Sequence, residues 1–92
     1  MDFDIDLNST AIFPIPASKN ININLATYEG GSGNLQIFNL LGQQMEIIEM
    51  ANVPALPFSI ELENYEEGAY FLFINIKGFK QKMLPFIIGA IP

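Results

Sequence analysis

Carboxylates dominate the side chains able to do chemistry here. Asp2, Asp4 and Asp6 recur at every second position, and Glu61, Glu63, Glu66 and Glu67 crowd a later stretch. Groups like these suit two tasks: holding a hard cation such as calcium, or acid–base hydrolysis of a glycoside. A calcium loop needs carboxylates that converge, usually around a bend with glycine. Alternate side chains on an extended chain stand about 6.5–7 Å apart along one face. With Phe3, Ile5 and Leu7 between them, the three aspartates read as a charged face, or as an edge that resists strand pairing. The glutamates fall at outward strand positions or in a turn, and a chain this short has little room for a sugar cleft beside its core. No enzymatic activity, metal site or cofactor is expected.

The missing residue types narrow the chemistry further. The 92 residues contain no histidine and no cysteine, and all four basic residues are lysine. Serine–histidine and cysteine–histidine catalysis, thiolate metal sites and disulfides are therefore excluded, as are arginine forks for phosphate or guanine. A net charge of −6 argues against nucleic acid, which calls for a basic footprint. The opening "MDFDIDLN" is acidic where a signal peptide needs positive charge, and no apolar run approaches the roughly 20 residues of a membrane helix.

The elements that would position any site are strands. Half of the residues are hydrophobic, which suits one folded core. Turn signals recur every 8 to 12 residues and helical periodicity is hard to find. The runs "DFDIDLN", "NININLATY", "LQIFNL", "QQMEIIEM", "FSIELE", "AYFLFINI" and "KQKMLPFII" predict seven strands. "FSIELE" places Phe58, Ile60 and Leu62 inward and Ser59, Glu61 and Glu63 outward. "AYFLFINI" is apolar on both faces and predicts a central strand covered on both sides. "EGGSGN" reads as a flexible hairpin loop, since it lacks the lysine and helix of a phosphate cradle. "ANVPALP" is long enough to cross between sheets. No repeat or linker interrupts the series. The expected fold is all-β: an immunoglobulin-like sandwich of about seven mostly antiparallel strands, with a small barrel as the alternative.

Two binding features remain open at this level. Lys77, Lys80 and Lys82 lie within six residues, with Lys80 and Lys82 on one face of the last strand. They form either a charged outer face guarding an edge or a small basic recognition patch. The aromatics Tyr70, Phe71 and Phe73 alternate on a central strand and read as core, although a sugar platform on an exposed face is the competing use.

Four segments, taken in order, resemble the C-terminal sorting domain of type IX secretion cargo proteins. "IFPIPASKNININL" resembles the family's "YPNPAS" opening, with Pro14, Pro16, Ala17 and Ser18 in place. "LQIFNLLGQQM" resembles the strand leading into "DLLG", "EEGAYFLFI" the "GxYF" segment, and "FKQKMLPFII" the basic final strand. Ile15 stands where the family has asparagine and Asn39 where it has aspartate, and the chain continues beyond the basic strand into "GAIP".

The resemblance implies a secretion address. It implies a sorting domain over 11–92, with 1–10 a linker remnant or first edge strand. It implies a cargo domain on the N-terminal side, so the 92 residues are an excised piece or a stand-alone relative. The implied partners are outer-membrane components of the secretion system and a sortase-like protease that removes the domain while the cargo is anchored. The implied location is the periplasm, in transit to the outer-membrane surface or the medium. Pro14, Pro16, Gly42, Gly68 and Tyr70 would define the fold, with the Tyr70 hydroxyl bonded to backbone near a sheet corner. Recognition would fall on the last strand, through Lys77, Lys80, Lys82 and Phe86. A stand-alone binding or adhesion module, with an exposed aromatic patch or groove, is the alternative function.

Overall fold

The computed structural model describes residues 3–5, 12–14, 17 and 19–89. Among the described residues there are eight strands: β1 (Phe3–Ile5), β2 (Ile12–Phe13), β3 (Asn20–Ile23), β4 (Gly33–Asn39), β5 (Gln44–Met50), β6 (Phe58–Glu61), β7 (Gly68–Ile76) and β8 (Gln81–Ile88). Each of the seven predicted runs contributes one, and β2 is a two-residue addition. The larger sheet has the order β1-β8-β7-β4-β5 and the smaller one β2-β3-β6. Seven of the strands make two antiparallel sheets, and β1 joins the β8 edge in parallel. The architecture is the expected all-β sandwich.

Alternation builds the core. On β7, Tyr70, Leu72, Ile74 and Ile76 are buried, and they lie opposite Leu35 and Ile37 of β4 and Leu84 and Phe86 of β8. Directly opposed residues share a face, so one side of this sheet is a continuous apolar surface. Ile21, Ile23 and Ile60 of the smaller sheet close over it. No polar or charged residue is buried among the described residues, and no buried side-chain polar atom lacks a partner.

The second face of β7 corrects one expectation. Ala69, Phe71, Phe73 and Asn75 are half-buried, so the strand is fully covered on one side only. Phe73 meets Phe38 edge-on, with ring centroids 5.7 Å apart. The apolar residues there shield one another, and among the described residues no second layer covers them.

Two local departures have local causes. "NININLATY" is extended only to Ile23 and ends in a 3₁₀ turn at Ala26–Tyr28. The Asn24 side-chain oxygen accepts the Ala26 N–H at 3.0 Å, and Tyr28 N–H reaches the Leu25 carbonyl at 2.8 Å. An asparagine that bonds its own downstream backbone competes with the sheet ladder. The "EGGSGN" loop is tied down as well: Gly30 N–H donates to the Val53 carbonyl and Val53 N–H to the Gly31 carbonyl, both at 2.9 Å. Gly33 then runs so close to β7 that a Cβ there would overlap the Asn75 carbonyl oxygen.

Candidate recognition surface

β8 occupies two roles in space. Its core-facing residues Leu84, Phe86 and Ile88 are buried, while Ile87 on the other face is 51% exposed. Phe86 is 1% exposed and stacks on Tyr70 with centroids 5.7 Å apart. A partner that reads this strand therefore meets its outer face or its ends, not the Phe86 ring.

The three lysines cluster at one end of the larger sheet. Lys77 and Lys80 are exposed in the β7–β8 hairpin, where the Lys77 N–H donates to the Ser32 carbonyl at 2.8 Å. Lys80 precedes β8, so it does not lie on the strand that was expected to carry it. Lys82 is half-buried, with Ile74 of β7 on one side and Asp4 of β1 on the other in register. Lys77 and Lys80 share the exposed hairpin, whereas Lys82 lies on the core-facing side of β8 in line with Leu84 and the buried Phe86, so the three do not form one outer face.

Tyr70, Gly68 and Gly42, three of the residues expected to define the fold, sit at the other end of the larger sheet. Tyr70 is buried, and its hydroxyl donates to the Glu66 carbonyl at 2.7 Å. Its ring also meets Tyr65 edge-on at 5.6 Å. This contact pins the β6–β7 turn to the start of β7. Gly68 opens that strand at φ +149°. Pro14 is an exposed bend directly after β2, and its peptide bond with Phe13 is cis. Pro16 lies outside the described residues, as do Asp2 and Asp6.

Ala17, a motif position with no role expected of it, ties the N-terminal segment to the end of β8. It is fully buried, its N–H donates to the Ile87 carbonyl and its carbonyl accepts the Gly89 N–H, both at 2.8 Å. The proline-rich opening is thereby stitched in parallel onto the end of β8. The sequence signal is a small residue directly after two prolines, but its partner lies some seventy positions away.

The β4–β5 turn was also valued for its glycine alone. Gly42 has φ +81°, which favours glycine. Asn39 does more of the organising. Its side-chain oxygen accepts the N–H groups of Leu41 at 2.9 Å and Gln43 at 3.0 Å, and its amide nitrogen donates to Gln43 Oε1 at 2.7 Å. An aspartate carboxylate offers the same acceptor to two N–H groups, so asparagine here preserves the turn that the resemblance associates with aspartate. Leu40 and Leu41 stand 66% and 84% exposed at its tip.

No curated protein and no solved structure matches the chain. The profile of one family, described as the secretion system C-terminal sorting domain, matches residues 11–88. That span runs from the proline-rich opening through the end of β8, so it takes in every strand but β1, the Asn39 turn and the lysine hairpin. The chain belongs to the secretion system C-terminal sorting domain family and carries a sorting signal for type IX export through the outer membrane.

Proposed function

We propose that residues 11–92 act as the address of an attached cargo on their N-terminal side, with 1–10 serving as the connecting segment. The domain is read in the periplasm by outer-membrane components of the secretion machinery. A sortase-like protease then removes it as the cargo is anchored at the surface or released. The family match carries this reading, and the position of β8 supports it. The final strand holds two N-terminal segments, β1 and Ala17, so a partner at β8 senses whether the domain has folded.

The test is export of a reporter fused ahead of the domain, in a bacterium that has this secretion system. The parent fusion is expected outside the cell. Charge reversal at Lys77 and Lys80, which are exposed and outside the core, should reduce export while leaving the melting temperature close to the parent's. Retention of the parent fusion in the periplasm would overturn the reading. Removing β8 altogether is a poor test, because it takes Leu84, Phe86 and Ile88 out of the core as well.

A further inference from the structure

The tip of the β4–β5 turn is closed by a dense set of hydrogen bonds. Five hydrogen bonds close it within residues 39–43: three from the Asn39 side chain, Asn39 N–H to the Gln43 carbonyl, and Gly42 N–H to the Asn39 carbonyl. None involves the side chains of Leu40 or Leu41, which point to solvent. Turn tips favour small polar residues, and a single exposed leucine needs no explanation. Two adjacent leucines, held out on a turn whose conformation is set by other residues, contribute little to the fold that polar side chains would not. Their apolar surface is free for contact with another molecule, and a rigid mount lowers the ordering cost of that contact.

The surroundings extend the same surface. Between Ile37 and Phe38 the register with β5 shifts, so that Met45 is an extra residue at the base of the turn. Bulges of this kind re-aim side chains beside functional sites, and Met45 is 44% exposed. The outer face of the larger sheet is graded along its length. Toward the lysine end it carries amides that bond each other, Gln36 to Asn34 at 2.8 Å and Gln81 to Asn75 at 3.1 Å. Toward the turn it carries Phe38, Phe71, Pro85 and Ile87.

Charge indicates the occupant. Glu46, Glu66 and Glu67 lie at the turn end, beside the bulge and ahead of β7. Lys77, Lys80 and Lys82 lie at the opposite end of β7, whose nine residues at about 3.4 Å each separate the two by on the order of 30 Å. An anionic lipid surface attracts basic segments, so this acidic end is poorly suited to one. We infer that Leu40 and Leu41 are a docking point for a folded protein partner, seated in an apolar pocket rimmed by lysine or arginine. This rests on the sorting reading and gives the domain a second contact, remote from its lysines.

The reporter fusion tests it with Leu40→Ser/Leu41→Ser, set against Leu56→Ser on the β5–β6 crossing, where Leu56 is 77% exposed. Loss of two anchors should lower export about tenfold or more, and Leu56→Ser should stay within about twofold of the parent. Leu40→Met/Leu41→Met should export like the parent, because it keeps the apolar surface. If the serine pair melts below the parent, Leu41→Ser alone carries the comparison. Parent-level export of the serine variants would overturn the docking point and leave the sorting reading standing. Failure of the methionine pair alongside the serine pair would also overturn it, since apolarity would not be what is read. Retention of the parent fusion defeats the sorting reading and this contact with it. Flotation of the purified parent domain with phosphatidylethanolamine–phosphatidylglycerol vesicles, lost in the serine pair, would replace the protein partner by a membrane and overturn the proposal.

Discussion

Tyr65 and Tyr70 meet edge to face in one small cluster, but their hydroxyls go different ways. Tyr70 bonds a carbonyl at 2.7 Å, while Tyr65 donates to the Glu46 carboxylate at 2.6 Å. Burial, then the hydrogen bond to Glu46 and its charge, with a further push from Tyr70, raise the ionisation of the Tyr65 hydroxyl well above its ordinary 10.0. The folded chain therefore keeps this proton to higher pH than the unfolded chain does. Stability from this group is complete below about pH 10 and is lost as pH rises from there toward the folded-state value. Tyr65→Phe should cost about 1 kcal/mol near neutrality, through the lost hydrogen bond. It should also flatten the alkaline decline, read from denaturant midpoints at about pH 8 and about pH 11. An equal alkaline loss in parent and variant would show that Tyr65 does not set it.

At the scale of elements, the same residue type is used for two different reasons. Gly42 needs its left-handed backbone, but an added Cβ would meet nothing within 4 Å. Gly42→Ala should therefore cost about 1–2 kcal/mol, the ordinary penalty of that conformation. Gly33 opposes Ile76 in register, and a Cβ there would drive the start of β4 off the β7 backbone, where β5 and β7 flank it on both sides. Gly33→Ala should cost about 3 kcal/mol or more, because the ladder on both sides must shift. Chemical denaturation of the two variants checks the order, and equal costs would mean that the sheet yields at Gly33 easily. Sequence alone shows both glycines as turn formers. The close approach at Gly33 depends on a strand more than forty positions later.

That contrast describes what was legible. Strand alternation is local, so Phe58, Ile60 and Leu62 could be told from Ser59, Glu61 and Glu63 before any partner was known, and six of these positions face as read, with Phe58 half-buried. The "GxY" tyrosine could be read because its partner is only four positions away. The half-covered second face of β7 could not be read, since an apolar residue looks the same whether another layer covers it or neighbouring rings shield it. Nor could the leucine tip: "LLG" fixes a turn by its glycine, and exposure of the two leucines follows only from the register of β4 with β5. Ala17 escaped because its bonds to Ile87 and Gly89 cross nearly the whole chain.

For the molecule as a whole, the strand proposed to carry the address also holds the fold together. β8 lies between β1 and β7, and it sends Leu84, Phe86 and Ile88 into the core. Each such side chain contributes about 1.5–3 kcal/mol on burial, so the three together supply roughly 5–9 kcal/mol. A domain of this kind has about 5–15 kcal/mol of net stability, and no disulfide is available here to hold a weakened fold together. Loss of β8 would also strip β7 of its partner from Gly68 to Ile74 and leave Ala17 without its two hydrogen bonds. Truncation before Leu84 should therefore abolish cooperative thermal unfolding, seen by circular dichroism as a sloping trace in place of a transition. The lysine reversal and the leucine variants, all at exposed positions, should keep the transition. A signal carried on such a strand can be presented only by a folded domain, which would let the export machinery reject a cargo whose tail has failed to fold. If the truncated chain still melts cooperatively within a few degrees of the parent, fold and address are separable and this coupling does not exist.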